Sequence, residues 1–278
     1  MKVGVVGLGA MGSRIAARLL DHGHDVVPWN RDPAKAEPLV ARGAAAADSP
    51  RAAAARSEVT ITMVSDPAAV AAVTEGEDGA VAGLGDGVLV QMSTVSPAST
   101  ERLVSVAAAG ALLDAPVLGS ISEVEQGTLK IFAGGPAGLV ERVRPVLGEL
   151  GDVLHVGDLG AGTAAKLVAN TTLVGVVAVL GEALAVGQRL GLARDEVFDV
   201  LGVTALAQQA ERRREALERG EYPPRFALRL ARKDADLILE AAGSDLRATK
   251  AAREWLAEAE DAGLADADYS AVLARILG

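Results

Sequence analysis

The chain opens on an apolar run, Lys2-Val3-Gly4-Val5-Val6, and meets at once the glycine-spaced turn Gly7-Leu8-Gly9-Ala10-Met11-Gly12. Apolar positions then recur with helical period from Ser13 to His22, and a second short apolar run covers Asp25 to Trp29. The pattern predicts strand, tight turn, helix, strand. Further apolar runs of strand length lie at Val59 to Val64, Gly87 to Met92, Ala111 to Val117, Leu129 to Phe132 and Val153 to Val156. Ser49-Pro50, Asp66-Pro67 and Ser96-Pro97 each place a side-chain acceptor before a proline. That pair starts helices, because the acceptor caps free N–H groups and proline needs none. Seven or eight strands alternating with helices predict a doubly wound, mostly parallel sheet.

The pattern changes at Gly157-Asp158-Leu159-Gly160, and no convincing strand follows. Ala161 to Leu190 reads as one long helix, apolar on almost every side, which predicts burial by other helices. Amphipathic helices are predicted at Arg194 to Leu201, Ala205 to Arg219, Ala227 to Ala242, Lys250 to Ala262 and Ser270 to Leu277, with a proline-containing loop at Gly220 to Arg225. The fold class is α/β: an N-terminal Rossmann-type doubly wound sheet over residues 1–158, then an all-helical C-terminal domain over residues 159–278. Arg212-Arg213-Arg214 lies among glutamates and predicts a solvated helix face.

Composition narrows the chemistry. Among 278 residues half are hydrophobic, which supplies a sizeable core, and a net charge of −10 argues against nucleic acid as a partner. The chain has no cysteine, which excludes disulfides and thiolate chemistry, and only three histidines, so no metal site is expected. Leu167 to Gly187 has the length of a membrane span, but Asn170, Thr171, Thr172 and Glu182 interrupt it, and a buried core helix is the better reading. The opening residues enter a strand directly, without a secretory signal, and a soluble cytoplasmic protein with no membrane partner is expected.

The glycine turn after the first strand has the context of a dinucleotide site. Gly7 permits the turn, Gly9 lets backbone N–H groups approach a pyrophosphate, and Gly12 lets the helix pack closely on the sheet. Leu8, Ala10 and Met11 complete that loop. An NAD site usually carries an acidic residue at the end of the next strand, to hold the ribose 2′-hydroxyl. Here Asn30-Arg31 stands in its place, with Lys35 one turn on. An uncharged Asn30 repels no phosphate, and a guanidinium suits a phosphate dianion, so NADP(H) is the expected cofactor.

Gly162, Lys166 and Asn170 are spaced by four and share one face of the long helix. Glycine would leave room for a ligand beside the two polar side chains. The helix dipole and partial burial would both lower the lysine pKa toward general acid/base work. A lysine snorkelling out of a buried helix fits the spacing equally well. Glu182 must be paired if it is buried, while His155, Tyr222 and Trp255 read as structural residues.

Several motifs in the same order extend the pattern: Ser93-Thr94 with Pro97, Asp114-Ala-Pro-Val117 with Gly119, Gly127-Thr-Leu129, Gly134-Gly135, Gly160-x-Gly162-x-x-x-Lys166-x-x-x-Asn170 and Lys233-Asp234. With the Gly7–Gly12 turn they make nearly the whole chain resemble the β-hydroxyacid dehydrogenases, which include 3-hydroxyisobutyrate dehydrogenases and glyoxylate/succinic semialdehyde reductases. The resemblance implies that Lys166 is the catalytic proton donor and acceptor and that Asn170 holds the substrate hydroxyl or carboxylate. It implies a backbone and hydroxyl cradle for the carboxylate at Gly119 and Ser120, with Val64, Ser65 and Thr94 lining the cofactor. Lys233 would reach the cofactor, with Asp234 as its structural partner. A small hydroxyacid, aldehyde or keto acid is the implied substrate, and a homodimer or homotetramer the implied assembly. Leu118 departs from the family, which commonly has serine there, and this points to a drier pocket. Two alternatives stand beside this reading: an imine reductase of similar fold, and a cofactor-binding scaffold without turnover. The presence of Lys166 speaks against both.

Overall fold

The computed structural model of the protein describes residues 1–107, 110–243 and 245–278. Eight strands form one sheet: β1 (Lys2–Val6), β2 (Asp25–Trp29), β3 (Val59–Thr62), β4 (Val88–Gln91), β5 (Leu112–Asp114), β6 (Val117–Leu118), β7 (Leu129–Gly134) and β8 (Gly151–Gly157). Their order is β2-β1-β3-β4-β5-β7-β6, with β8 also paired to β7. The first five strands run parallel, β7 lies antiparallel to β5 and β6, and β8 lies parallel to β7. Strands β3 and β4 are buried along their whole length, as central parallel strands are, and Thr60, Thr62 and Gln91 are buried with their apolar neighbours. Pro28 is tolerated in β2 because β2 is an edge strand, where a missing N–H costs no ladder bond. The sheet order reverses between β1 and β3, and in open α/β sheets ligands bind at the carboxyl ends beside such a reversal.

The three acceptor-proline signatures begin helices as their chemistry requires. Ser49 accepts from the N–H of Ala52, Asp66 from Ala69 and Ser96 from Ser99. The apolar run at Ala111 to Val117 differs from the predicted single strand. Ala115 N–H still bonds the carbonyl of Gln91 beside β4, but Pro116 has no N–H to continue. The chain therefore breaks into β5 and β6 and changes partner, with Val117 now opposite Ile131 in β7.

Two compact units make up the chain, Met1–Lys166 and Leu167–Gly278. The break in pattern at residues 157–160 marks the end of β8, while the division falls within the long helix, Ala161–Arg189. In the first unit Ile15 and Leu19 of the helix Ala10–Asp21 pack against Val3, Val5, Ile61 and Val90 of the sheet. In the second unit the long helix packs with helices Arg194–Leu201, Ala207–Arg219, Leu228–Ala242, Arg247–Ala259 and Val272–Leu277 around Leu180, Leu228, Leu256 and Leu273. Among the described residues of this unit there is no strand, only an isolated bridge between Ala227 and Asp268.

Two expectations about this helical unit are corrected. The long helix is not covered on all sides: Val168, Val179 and Val186 are 69%, 54% and 54% exposed, and their spacing of three turns and then two sets them on one stripe. Arg213 and Arg214 do not form a solvated face. Arg213 is buried, bonded to Gln209 and to the Tyr269 hydroxyl, and Arg214 lies 4.4 Å from the centre of the Phe198 ring. Glu182 is exposed and accepts the Trp255 indole N–H at 3.0 Å. Tyr222 and Trp255 pack against the helical core, and His155 Nε2 bridges the carbonyls of Gly135 and Gly157 at 2.8 and 3.0 Å.

Gly162 is also corrected. A Cβ there would stand 2.3 Å from the carbonyl oxygens of both Asp114 and Phe132, so its bare Cα is in contact with the sheet and leaves no space for a ligand. Gly134 on β7 is its counterpart, 2.7 Å from the Gly162 nitrogen by the same measure. Gly162→Ala should therefore lower stability by about 1–3 kcal/mol, the usual range for forced overpacking. Urea unfolding of the two proteins measures it; an unchanged midpoint would show that the contact can relax.

Candidate active site

The cofactor loop is built from unlike glycines. Gly7 has φ +98°, and a Cβ there would lie 2.4 Å from the Met63 carbonyl; a Cβ on Gly12 would lie 1.9 Å from the Gly7 carbonyl. Both positions are closed by main chain. At Gly9 nothing lies within 4 Å of a Cβ, and Gly9 is the N-cap of the helix Ala10–Asp21 without any side-chain cap. The open glycine and the uncapped first turn, with its free N–H groups and positive dipole end, form a seat that fits a pyrophosphate. Ala10 is exposed, Met11 half-buried and Leu8 buried in this loop.

Asn30 shapes the seat from the side. Its Oδ1 accepts the Leu8 N–H at 2.9 Å and its Nδ2 donates to the Asp32 carbonyl at 3.1 Å. Asp32 in turn caps the short turn Pro33–Ala36, which carries Lys35. Arg31 and Lys35 are both exposed on this rim. At the ends of β3 and β4, Val64 N–H donates to the Ser93 hydroxyl at 2.9 Å, and Gln91 holds Ser93 from both sides. Ser65 donates to Asp66 at 2.5 Å, and Thr94 is half-buried beside Ser93.

The long helix starts on a carboxylate from the sheet. Asp114, the last residue of β5, is 1% exposed. Its Oδ1 accepts the Gly160 N–H at 2.8 Å and its Oδ2 the Thr163 N–H at 2.6 Å. The Thr163 hydroxyl is in turn 2.9 Å from that of Thr100, both buried. Lys166 follows one turn later and is only 8% exposed, so it does not snorkel into solvent. Asn170, one turn further, is 1% exposed. Its Nδ2 donates to Asp234 Oδ2 at 2.6 Å, and Asp234 lies 2.8 Å from Lys233 Nζ. Among the described residues nothing hydrogen-bonds Asn170 Oδ1, which leaves a buried acceptor open.

The segment after β6 closes on itself. Ser120 and Glu123 form a reciprocal capping box over the short helix Ile121–Gln126. Glu123 accepts the Ser120 N–H at 2.7 Å and the Ser122 hydroxyl at 3.0 Å. Gly119 has φ +131° and faces Leu129 and the Glu123 side chain, and Leu118 is half-buried opposite Lys130. Asp114, Glu123 and Ser93 were not singled out from the sequence for these contacts. Signals for them exist: an aspartate ending an apolar strand, and a Ser-x-x-Glu spacing. Among the described residues no cluster of His, Asp and Glu could hold a metal ion.

Residues 2–160 match the family model for the NAD-binding domain of 6-phosphogluconate dehydrogenase. Residues 160–276 match that for the NAD-binding domain of NADP-dependent 3-hydroxyisobutyrate dehydrogenase. The 2-(hydroxymethyl)glutarate dehydrogenase of Eubacterium barkeri is 35% identical over 98% of this chain and 94% of its own length. The structure of 3-hydroxyisobutyrate dehydrogenase from Mycobacterium tuberculosis, with L-serine, superposes with a TM-score of 0.83 at 26% identity, covering 100% of this chain and 99% of the other. An imine reductase from Streptomyces aurantiacus superposes less well, with a TM-score of 0.61 at 26% identity over 99% of each chain.

Burial pushes the Asp114 carboxyl above the usual carboxylate range, although the Gly160 and Thr163 bonds pull against it. The folded chain thus holds this proton more tightly than the unfolded one. The group's contribution to stability is complete below the ordinary carboxylate pKa of about 3.9 and is lost as pH rises through the raised value. Unfolding midpoints should fall with pH across that window, and Asp114→Asn, which has no proton to lose, should remove this part of the slope. Equal slopes in both proteins would refute it.

Proposed function

Because this chain belongs to the β-hydroxyacid dehydrogenase family, whose members are oxidoreductases acting on CH–OH donors with a nicotinamide cofactor, we propose that it is an NADP(H)-dependent reductase of small aldehydes and keto acids. In reverse it acts as a β-hydroxyacid dehydrogenase. One observation carries this reading: a buried Lys166 one helical turn before Asn170, whose Oδ1 is a buried and open acceptor.

The nicotinamide, when bound, supplies or accepts the hydride. Lys166 gives a proton to the carbonyl oxygen during reduction and takes it back during oxidation. Asp234 holds the amide nitrogen of Asn170, which leaves Oδ1 as an acceptor suited to a substrate hydroxyl. Leu118, Gly119 and Ser120 line the substrate side. Gly7 to Gly12 seat the pyrophosphate, with Val64, Ser65 and Thr94 beside it and Lys233 as a further cofactor contact. Arg31 and Lys35 favour the 2′-phosphate, and Asn30 braces the loop without adding a negative charge there. Lys166 supports this reading over an imine reductase and over a silent scaffold.

We place the enzyme in the cytoplasm as a homodimer or homotetramer. The long helix has the length and hydropathy of a membrane span, but its open stripe is interrupted by Thr172 and Glu182, which suits a second copy of the chain better than lipid.

Lys166→Ala should lower kcat for carbonyl reduction by about 10²-fold or more while leaving NADPH binding unchanged, and Arg31→Ala should weaken NADPH but not NADH. Steady-state rates with both cofactors and a panel of small carbonyl compounds decide this. Full activity in Lys166→Ala would overturn the mechanism, and a wild-type preference for NADH would overturn the cofactor. Val179→Glu should shift the protein toward monomer in sedimentation equilibrium, and an unchanged mass would place the interface elsewhere.

A further inference from the structure

Gly127, which opens the Gly127-Thr-Leu129 motif, closes the short helix Ile121–Gln126 in the left-handed region, at φ +71°. A Cβ there would lie 2.6 Å from the guanidinium carbon of Arg18, so glycine serves the turn and also leaves room for that cation. Arg18 stands far along the chain, on the helix Ala10–Asp21. Its fork meets carbonyls from two other segments. Nη1 donates to the Glu125 carbonyl at 2.8 Å, and Nε donates to the Glu149 carbonyl in the turn before β8. The last carbonyls of a helix have no partner within it, so the guanidinium fills a need that the short helix cannot meet itself. One turn earlier on the same face, Arg14 pairs with Glu125 at 2.8 Å. That pair is 37% and 57% exposed and holds little, so the planar fork of Arg18 makes the joint.

The two helices joined here begin at the two ends of the proposed chemistry. The helix Ala10–Asp21 begins at Gly9, the open seat for a pyrophosphate. The helix Ile121–Gln126 begins at Ser120, beside the Gly119 turn on the substrate side. A helix of six residues is too short to hold its place by its own hydrogen bonds, so its placement comes from Val124 in the core and from Arg18. We propose that Arg18 is a positioning residue: by bolting these two helices together it fixes the substrate turn at Gly119 and Ser120 against the cofactor seat at Gly9. It acts through the short helix and not on the reactants. The inference rests on the carbonyl-reductase reading above and names a residue that sets the geometry for it. Transfer between two bound reactants is sensitive to such spacing, since a misplacement of about 1 Å can cost about 10²-fold in rate.

Arg18→Ala leaves the glycine loop untouched, so fluorescence titration should give an unchanged Kd for NADPH. KM for succinic semialdehyde and for glyoxylate should rise by about tenfold, measured well below the unfolding midpoint of each variant. Arg18→Lys keeps the stem and the charge but cannot meet both carbonyls in one plane, and should fall between wild type and Arg18→Ala. Gly127→Ala should also raise KM, and should add less to it in Arg18→Ala, where the guanidinium is gone. In the protein without cofactor, amide exchange over residues 121–127 should quicken in Arg18→Ala, while exchange over residues 15–19 should not. Wild-type KM in both Arg18 variants would overturn the inference and leave Arg18 an ordinary stabilising bond. KM and NADPH Kd rising together, or unchanged exchange over residues 121–127, would overturn it as well. Should Arg18→Ala fail to fold, Arg18→Lys decides by the same split between KM and Kd. A wild-type protein that binds NADPH but reduces no small aldehyde or keto acid would overturn the carbonyl-reductase reading itself, and this inference with it.

Discussion

Every α-helix leaves its first N–H groups without partners, and in this chain the long helix has two of them met from the sheet. Asp114 ends β5 and reaches across to Gly160 and Thr163 with one oxygen each. The distance from cap to chemistry is short: Lys166 sits one turn beyond Thr163, and Asn170 one turn beyond that. A helix fixed at its first turn by a buried side chain cannot slide or rotate by a residue without breaking a bond in a dry environment, where a lost bond costs most. Gly162 tightens the same joint, since its bare Cα allows the helix to meet the carbonyls of Asp114 and Phe132 directly. The position of Lys166 on the sheet thus follows from one carboxylate and two glycines, Gly134 and Gly162.

Glycine does two different jobs in this fold. Gly7, Gly12, Gly134 and Gly162 are sites of contact, where a methyl group would strike main chain. Gly9 faces open space and no side chain caps the helix it begins. Sequence spacing cannot separate the two kinds, because both read as the same letter. The difference lies in what approaches the Cα from elsewhere in the chain. This is why Gly162 reads from spacing as room for a ligand and proves to be packing, while Gly9, in a more familiar motif, is open as expected.

The extent to which the sequence reveals the structure follows the range of the interactions. Local chemistry is legible: the caps at Ser49, Asp66 and Ser96 form as their sequences require, and β2 and the helix Arg194–Leu201 have the predicted bounds. The break between β5 and β6 was missed because it depends on a change of strand partner at Pro116 as well as on apolar pattern. Arg213 was misread because its partners, Tyr269 above all, lie far along the chain. In the site, the residues carrying chemistry stand out as polar letters in apolar runs. Asp234 was visible only as the neighbour of Lys233, and its bond to Asn170 spans 64 positions, beyond the reach of any periodicity.

The remaining step concerns where backbone N–H groups are left open and where they are closed. At the first helix Asn30 satisfies only the Leu8 N–H, and the first turn beyond Gly9 has no side-chain cap. At the short helix after β6, Ser120 and Glu123 satisfy each other's N–H groups. At the long helix Asp114 does so from the sheet. An anion bound by main chain needs donors without internal partners, and of these three helix starts the first alone lacks a side-chain cap. The first turn beyond Gly9 is therefore the one of the three whose geometry fits the phosphates of a dinucleotide. The same capping chemistry thus sets the three helix starts apart: carboxylates of the chain itself meet the N–H groups of Ser120 and of Gly160 and Thr163, and the start at Gly9 has no side-chain cap.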